Sequence, residues 1–155
     1  MVKDSLEIKE LTPKHASIFS KRLSEERDEY LKYFIPFVEY SETYIRKTLS
    51  EKKIDKYFGL FLNDDIVGFY MLRGFDAGYE IPSYGVWISS KYSNKGLSTL
   101  TLYHAFSFCK LNNIKTLMLK VHPENTVAKK LYEKFGFVKV GLDEKISHLI
   151  YHKSL

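Results

Sequence analysis

The sequence has few of the features that mark secreted, membrane-spanning or zinc-binding proteins. A single cysteine, Cys109, among 155 residues excludes an internal disulfide framework and fits a reducing compartment. No run of 18 apolar residues occurs, so no transmembrane helix is predicted. The first residues, MVKDSLE, lack the apolar segment of a signal peptide, and no cysteine–histidine spacing suggests a metal site. We therefore expect a cytoplasmic protein that binds neither a membrane nor a metal ion, with Cys109 as a small buried side chain.

The composition favours one folded domain with an affinity for anions. Hydrophobic residues make up 45% of the chain, too many for a disordered protein. The 155 residues contain no repeat, linker or low-complexity segment, which predicts a single domain, 1–155. The formal net charge is +5, but the lysines are scattered among glutamates and form no basic stripe with interleaved aromatics. Nucleic acid is therefore not the expected partner, and the charge suits phosphate-bearing ligands instead.

Hydrophobic periodicity and turn residues predict the order β-α-α-β-β-β-α-β-α-β-β. Strands are predicted at residues 6–10, 56–62, 66–73, 78–89, 115–122, 138–142 and 146–152. Helices are predicted from Pro13 to about Tyr30, from the cap Ser41 to about Lys53, from the loop 89–98 to Asn113, and around Tyr132. A hairpin turn is predicted at residues 63–65.

The most informative segment is NTVAKKLYEKFGF, residues 125–137. Asn125 can cap a helix, because its side chain accepts from the free amides of the first turn. An apolar stripe at i, i+4 and i+8 is formed by Val127, Leu131 and Phe135. Gly136 stands where a helix ends in the left-handed conformation. Ala128 and Tyr132 share a neighbouring face one turn apart, so a small residue lies beside a phenol.

A second informative segment lies upstream. The run YGVWI, residues 84–88, predicts a strand, and the polar loop SSKYSNKGLS, residues 89–98, leads into a long helix. The apolar positions of that helix are Leu97, Leu100, His104, Phe108 and Leu111. A strand, a glycine-containing loop and a helix N-terminus together direct free amides and the helix dipole at an anion.

Together these segments resemble the GNAT superfamily, the GCN5-related N-acetyltransferases. The pattern N-x-x-A-x-x-x-Y-x-x-x-G-F, here Asn125, Ala128, Tyr132, Gly136 and Phe137, is similar to the second acetyl-CoA-binding motif of that family. The predicted order of strands and helices matches the family along the whole chain.

The pyrophosphate loop of the family reads Q/R-x-x-G-x-G/A. Gly96 matches this pattern, whereas Ser93 replaces the Gln or Arg and Ser98 replaces the small Gly or Ala. Main-chain amides still supply most of the hydrogen-bond donors of this loop. The replacement of Gln or Arg by Ser93 removes one side-chain contact, so we expect it to affect the affinity for the cofactor. Lys91 and Lys95 can add positive charge.

The resemblance implies an α/β (α+β) fold with a central mixed, mostly antiparallel sheet, flanked by helices, whose parallel strands 4 and 5 splay apart. It implies acetyl-CoA as co-substrate, with pantetheine inserted between these strands and a strand amide polarising the thioester carbonyl. The residues that it assigns to the cofactor are Trp87, Ile88, Ser89, Ser93, Asn94, Lys95, Gly96, Leu97, Ser98, Asn125, Ala128, Lys129 and Tyr132.

The resemblance also implies direct transfer of the acetyl group to a primary amine, with no covalent enzyme intermediate. Tyr132 faces the departing sulfur, and a phenol is protonated at neutral pH and can donate its proton. The amine must lose a proton, for which the candidates are Glu80, His122 and Tyr84. The carboxylate position usual in the family falls nearer Pro82, two residues after Glu80 on the same strand face.

The acceptor is the least determined part of the prediction. A small molecule, an amino sugar and a protein N-terminus all remain open, as do a monomer and a homodimer. An aromatic cluster is expected either to line the acceptor pocket or to join the core: Tyr30, Tyr33, Phe34, Phe37 and Tyr40. Acidic residues nearby either receive a cationic amine or form a solvated helix face: Glu25, Glu26, Asp28 and Glu29. The alternative function is a non-catalytic acyl-CoA-binding module, which would not need Tyr132.

Overall fold

A single mixed sheet of seven strands forms the centre of the molecule in a computed structural model that describes residues 3–34 and 36–155. The strands are β1 (Leu6–Glu10), β2 (Lys56–Leu62), β3 (Asp65–Arg73), β4 (Ser83–Ile88), β5 (Thr116–Val121), β6 (Val138–Asp143) and β7 (His148–Ser154). Their order in the sheet is β1-β2-β3-β4-β5-β7-β6. Only β4 and β5 pair in parallel, and every other pair of neighbours is antiparallel. The predicted fold class is confirmed.

Five helices cover the two faces of this sheet. They are α1 (Ala16–Ser24), α2 (Asp28–Leu31), α3 (Glu42–Glu51), α4 (Leu97–Leu111) and α5 (Thr126–Lys134). Side chains of α1 and α3 pack with those of β2 and β3 in one core, and those of α4 and α5 pack with β4, β5 and β7 in a second core on the opposite face. None of the helices described is long and apolar enough to cross a membrane.

The first predicted helix, from Pro13 to about Tyr30, is wrong as a continuous element. The structure has a 3-10 turn at Pro13–His15, then α1, and then the separate four-residue helix α2. The buried positions of α1 end at Leu23, and the next three residues are polar, so no apolar face extends the helix. Arg27 is extended, with φ −73° and ψ 143°, and α2 begins after it.

The predicted strand at residues 78–89 is wrong in its first half, because β4 begins only at Ser83. The stretch before β4 is held by side chains from elsewhere in the chain. The carboxylate of Asp55 accepts from the amides of Gly74 and Asp76, at 2.9 and 3.1 Å. The carboxylate of Asp76 accepts in return from the amides of Lys53 and Ile54, at 2.9 and 2.7 Å. The amides of Gly78 and Tyr79 then donate to the carbonyls of Phe75 and Gly74, at 2.9 and 3.0 Å, so the chain is folded where the local sequence favours an extended strand.

The face that α4 buries also differs from the prediction. The buried residues of α4 are Thr101, Leu102, Ala105, Phe106 and Cys109. Leu111 of the predicted stripe is 84% exposed, and Leu100 is also exposed. Apolar residues surround most of this helix, so the sequence pattern is compatible with more than one buried face. Contact with the sheet decides which of these faces is buried. Cys109 is buried, as predicted, and burial raises the pKa of its thiol to about 11.

Candidate active site

A cleft opens between β4 and β5, because these parallel strands pair only at their beginnings. Ser83 lies opposite Met118 and Tyr84 opposite Leu119, and no later residue of either strand pairs with the other. Beyond this point the strands diverge, and the resulting cleft has a volume of about 1590 Å³. The splayed parallel strands predicted from the sequence are therefore present.

The main chain of β4 directs groups that are not paired with β5 into this gap. The amide of Ser89 donates to the carbonyl of Val67 on β3, at 2.9 Å, and residues along a strand direct their main-chain groups to alternate sides. Trp87 and Ser89 therefore face β3, whereas Val86 and Ile88 face the side of β5, beyond the last paired residue. Val86 was not predicted from the sequence, and of the three β4 residues that were, only Ile88 directs its main chain into the gap.

The cleft brings together about half of the site residues predicted from the sequence. Those that line it are Glu80, Trp87, Ile88, Ser98, His122, Asn125, Ala128 and Tyr132. Those that do not line it are Ser89, Ser93, Asn94, Lys95, Gly96, Leu97 and Lys129. Lys129 instead donates from Nζ to the carbonyl of Pro123, at 3.0 Å. The side chain of Trp87 packs against Phe19 in the first core, so its contribution to the cleft is limited.

The loop before α4 has the geometry of an anion site. Asn94 and Gly96 both have positive φ, 58° and 80°, and Gly96 is the N-cap of α4. Within residues 3–34 and 36–155, the backbone amides of residues 94–99 have no protein acceptor. Such a row of free amides at a helix N-terminus, together with the helix dipole, favours a bound phosphate. Ser98, at the end of this loop, joins it to the cleft.

Helix α5 is capped at both ends as the sequence predicts. The side chain of Asn125 accepts from the amide of Ala128, at 3.3 Å. At the other end Gly136 has φ 87° and donates to the carbonyl of Glu133, while Phe137 donates to the carbonyl of Tyr132, each at 3.0 Å. This pair of bonds is a Schellman motif, and the rings of Tyr132 and Phe137 make its accompanying apolar contact, with centroids 5.7 Å apart.

The predicted apolar stripe of α5 is only partly buried. Leu131 and Phe135 pack against the second core, but Val127 is 83% exposed and lines the cleft. Val127, in the first turn of α5, belongs to neither core.

Tyr132 lies on α5 between the two capping motifs, which fix where the helix begins and ends. Its side chain is only 8% exposed, yet it lines the cleft, and no hydrogen-bond partner for its hydroxyl exists in the described part of the chain. Burial raises the pKa of Tyr132 to about 12. The hydroxyl is therefore protonated at every physiological pH and is free to donate.

Tyr84 lies beside Tyr132, but its hydroxyl forms a hydrogen bond within the protein. The two rings meet edge to face, with centroids 6.5 Å apart. Thr101 donates its hydroxyl proton to the carbonyl of Ser98, at 2.7 Å, so the Tyr84 hydroxyl, 2.8 Å from Thr101 Oγ1, is the donor of that second bond. Burial raises the pKa of Tyr84 well above its usual value. At neutral pH the Tyr84 hydroxyl therefore stays protonated and bonded to Thr101, so it cannot act as a base.

Glu80 and His122 differ in how they can handle a proton. Glu80 is exposed in the loop before β4 and lines the cleft. His122 follows β5, and its Nδ1 accepts from the amide of Glu124, at 3.2 Å. In a neutral imidazole one nitrogen accepts and the other carries the proton, so this bond places the proton of His122 on Nε2. Neutral His122 therefore presents a donor, and it can take up a second proton only by losing the Glu124 bond.

The predicted aromatic cluster divides between cleft and core. Tyr30, Tyr33 and Phe34 line the cleft, whereas Phe37 is buried in the first core. Tyr40 packs against that core and donates to the carbonyl of Phe34, at 3.1 Å.

The acidic residues of the same segment do not form an amine site. Glu25 pairs with Arg22, at 3.0 Å, and Glu26 accepts from the amide of Ser90, at 2.8 Å. Asp28 and Glu29 are exposed and stand in the first turn of α2, where acidic side chains favour the helix dipole.

Several residues that line the cleft were not predicted from the sequence, among them Arg73, Lys120, Ile146 and His152. Lys120 and His152 lie on the neighbouring strands β5 and β7, where they alternate with core residues. This two-residue alternation was the sequence signal that both side chains lie on the sheet face opposite those core residues. Across the described ranges, no group of three or more potential metal ligands occurs.

Comparison with solved structures supports this description of the fold. An acetyltransferase of the GNAT family from Streptococcus pneumoniae aligns with a TM-score of 0.76 at 22% identity, covering 97% of this chain and 99% of that one. The PaiA N-acetyltransferase of Thermoplasma acidophilum, solved in complex with coenzyme A, aligns with a TM-score of 0.73 at 22% identity, covering 97% and 99%. The ribosomal-protein-S5-alanine acetyltransferase of Vibrio fischeri gives 0.80 at 16% identity, covering 99% and 95%. A search of the curated proteins found no match.

A sequence model of the acetyltransferase (GNAT) family matches residues 20–137, more than half of the chain. The match includes the loop before α4 and the capped helix α5, the two segments on which the resemblance rests. Because the family model, the splayed strands and the order of strands agree, the chain belongs to the GNAT family of acetyltransferases.

Proposed function

We propose that this protein is an N-acetyltransferase that transfers an acetyl group from acetyl-CoA directly to a primary amine. The observation that carries the proposal is the position of Tyr132. A buried, protonated phenol with no protein partner among the described residues lies at the gap between the two splayed strands. A module that only bound acyl-CoA would have no use for such a donor.

The donor site extends from the loop before α4 to the end of β4. The free amides of residues 94–99 bind the pyrophosphate, and pantetheine enters the gap and pairs with Val86 and Ile88. Ala128, the small residue one turn before Tyr132, leaves room for the cofactor beside α5. The contact that the family's Gln or Arg makes is absent at Ser93, whose hydroxyl donates to the carbonyl of Ser90, at 3.0 Å.

The transfer then needs one donor to the carbonyl oxygen, one acid and one base. A main-chain amide of β4, from Val86 or Ile88, donates to the thioester oxygen as negative charge develops there. The amine nitrogen forms a bond to the carbonyl carbon, the carbon–sulfur bond breaks, and Tyr132 gives its proton to the departing sulfur. Bulk water afterwards restores the proton of Tyr132.

Glu80 is the base that we assign, directly or through a water molecule. It lines the cleft, and no hydrogen bond or ion pair to its carboxylate occurs in the described part of the chain. His122 lines the same cleft, but its Nδ1 is already bonded to the Glu124 amide. We therefore give His122 the role of a hydrogen-bond donor toward the acceptor.

The acceptor is a primary amine whose attached group fits an open cleft. Aromatic side chains on one wall and Lys120, paired with Asp143 at 2.7 Å, on the other suit an acceptor with both apolar and polar parts. A peptide N-terminus and an amino sugar both have this character. Two of the similar structures are those of a ribosomal-protein-S5-alanine acetyltransferase and a ribosomal L7/L12 α-N-protein acetyltransferase, which favours a peptide N-terminus as the first acceptor to test.

The experiment is a thermal-shift titration with acetyl-CoA, followed by a panel of amines scored for release of free CoA. Binding to the native state alone stabilises it by about 2.7 kcal/mol at 100 times the dissociation constant. A thiol reagent can report CoA release with little background, because Cys109 is buried. If millimolar acetyl-CoA leaves the melting temperature unchanged, the donor is wrong. If acetyl-CoA binds but no amine in a broad panel releases CoA, the non-catalytic binding module is the better description.

A further inference from the structure

The segment from Glu26 to Tyr33 contacts the ends of both splayed strands. The hydroxyl of Tyr30 donates to the carbonyl of Ile88, at 2.5 Å, and the carboxylate of Glu26 accepts from the amide of Ser90, at 2.8 Å. Farther along, the ring of Tyr33 stacks on His122, with centroids 4.8 Å apart. Ile88 ends β4 and His122 follows β5, so this segment, which we call the strap, bridges the gap.

The strap is weakly anchored apart from these contacts. Its only helix is the four-residue α2, whose single buried side chain is that of Leu31. Most of its other side chains are exposed or half-buried. Short helices of this kind have little stability of their own, so the bonds to the strand ends decide where the strap lies.

The Ile88 carbonyl has a second potential use. It is one of the two carbonyls, with that of Val86, that β4 directs into the gap beyond the last residue paired with β5. A pantetheine amide that enters the gap as an added strand can donate to it. The Tyr30 hydroxyl already donates to this oxygen, so pantetheine must either share the carbonyl with Tyr30 or displace the hydroxyl.

We propose that Tyr30 is a positioning residue that couples the donor site to the acceptor side: acetyl-CoA takes over the Ile88 carbonyl, Tyr30 loses its partner, and the strap is released from β4. This inference rests on the proposed function, since it requires an acyl-CoA in the gap. The donor thus binds at the cost of one existing bond, and its binding opens the wall that Tyr30 and Tyr33 form along the cleft.

Two further observations agree with this coupling. Burial, and next the charge of Glu26, raise the pKa of Tyr30, so its hydroxyl remains a donor throughout the neutral range. The Glu26–Ser90 bond involves an amide beyond the end of β4, outside the gap, so it can persist when Tyr30 leaves. The strap then remains attached through Glu26 and the buried side chain of Leu31, while the side chains of Tyr30 and Tyr33 move.

The test compares Tyr30→Phe with Tyr33→Phe, each of which removes one hydroxyl from the strap. Tyr33 is the matched control, because its described contacts are made by its ring. Loss of a typical hydrogen bond changes an equilibrium by about 2- to 10-fold. We expect Tyr30→Phe to bind CoA about 2- to 10-fold more tightly than wild type by calorimetry, and Tyr33→Phe to bind as wild type does. Weaker or unchanged binding by Tyr30→Phe overturns the inference, because the bond would then support the donor site or not affect it.

Hydrogen exchange of the strap gives a second, independent measurement. In wild type, CoA should speed amide exchange in residues 28–33 while slowing exchange in the loop before α4. In Tyr30→Phe, exchange in residues 28–33 should already be fast, and CoA should change it little. Slower exchange of the strap in wild type with CoA bound would show that Tyr30 keeps its place, and the inference would fail.

These outcomes separate the inference from the proposed function. If wild-type protein shows neither calorimetric binding nor protection of the loop before α4, the proposed function fails. If wild type binds CoA and the two tyrosine variants behave alike, the donor site stands and the role of Tyr30 fails.

Discussion

The hydroxyl of Tyr84 on β4 donates to Thr101 on α4, at 2.8 Å, and both side chains are almost completely buried. Thr101 passes the connection on to the carbonyl of Ser98, at 2.7 Å. A short chain of hydrogen bonds thus joins β4 to the first turn of α4, the two elements on which we place pantetheine and the pyrophosphate.

Thr101→Val should weaken this connection, because valine has the same shape and no hydroxyl. A buried Tyr84 hydroxyl without its partner costs about 1 to 3 kcal/mol of stability, measurable by denaturation. We also expect the KM for acetyl-CoA to rise by about 3- to 10-fold, which corresponds to one lost hydrogen bond. S-acetylpantetheine lacks the pyrophosphate, so its KM should change little. Thr101→Ser keeps the hydroxyl and serves as the control. If Thr101→Val raises the KM equally for acetyl-CoA and for S-acetylpantetheine, this chain of hydrogen bonds has only a structural role.

Tyr132→Phe keeps the ring and its contact with Phe137 and removes only the hydroxyl. General acid catalysis typically contributes about 10²- to 10⁴-fold. Because water can replace part of this, we expect steady-state turnover to fall by at least about tenfold. Acetyl-CoA affinity should hardly change, since a thioester sulfur accepts hydrogen bonds poorly before the carbon–sulfur bond breaks. Wild-type turnover in this variant would remove Tyr132 from the mechanism, and loss of acetyl-CoA binding would make it a positioning residue.

The raised pKa of Tyr132 has a consequence for stability at high pH. Its pKa is about 12 in the folded protein and about 10 when unfolded, so the folded state holds the proton more tightly. The contribution to stability, roughly 2 to 3 kcal/mol, is complete below about pH 10 and is lost as pH rises to about 12. Urea denaturation from pH 8 to 11.5 should therefore show a smaller alkaline loss for Tyr132→Phe than for wild type. Parallel curves for the two proteins would contradict the raised pKa.

Gly96→Ala tests the loop before α4. An added Cβ meets no protein atom within 4 Å, but φ is 80°, a conformation that costs other residues about 1 to 2 kcal/mol. We expect relief of this strain to turn the loop amides and to reduce the stabilisation by acetyl-CoA. Gly78→Ala is the matched control, because Gly78 has φ 86°, equally open surroundings and a place on the acceptor side. The prediction fails if the two variants lose acetyl-CoA binding to the same extent.

Glu80 and His122 should be distinguished by the steady-state kinetics of their variants. Glu80→Gln removes a base and keeps a side chain of the same size, so turnover should fall by roughly tenfold or more. His122→Gln keeps a hydrogen-bond donor, so it should change the KM of the acceptor more than turnover. A reversed result, with the larger loss of turnover in His122→Gln, would assign the base to His122 and imply that its bond to Glu124 breaks during the reaction.

Local sequence patterns predicted the parts of the site whose geometry is local. The capping bonds of Asn125 and Gly136 each reach a residue three positions away, so they follow from the local sequence. The loop before α4 was expected from its own residues, whereas the splayed parallel pair β4–β5 was expected only from the resemblance to the family. Non-local contacts determined the rest. The loop before β4 is folded by Asp55, and the Ile88 carbonyl is occupied by a hydroxyl 58 residues earlier in the chain.

Helix faces were predicted less well than helix positions. The helix α4 is apolar around most of its circumference, so only packing against the sheet decided that Leu102 and Ala105 are buried and Leu111 exposed. In α5 the period correctly indicated a helix, but it could not show which end of the apolar stripe the core would cover. Val127 is therefore a cleft residue and not a core residue.

The short seam between β4 and β5 also divides the sheet mechanically. Strands β1 to β4 form one antiparallel block and β5 to β7 another, and two residue pairs are all that join the blocks within the described sheet. The blocks are otherwise linked by side chains, those of α4 and α5 on one face and those of Tyr30 and Tyr33 at the open end of the cleft. Shear between the blocks is thus resisted mainly by side-chain packing and by only two pairs of backbone residues. A ligand bound between β4 and β5 adds backbone hydrogen bonds across this boundary, and we expect it to stiffen the domain there.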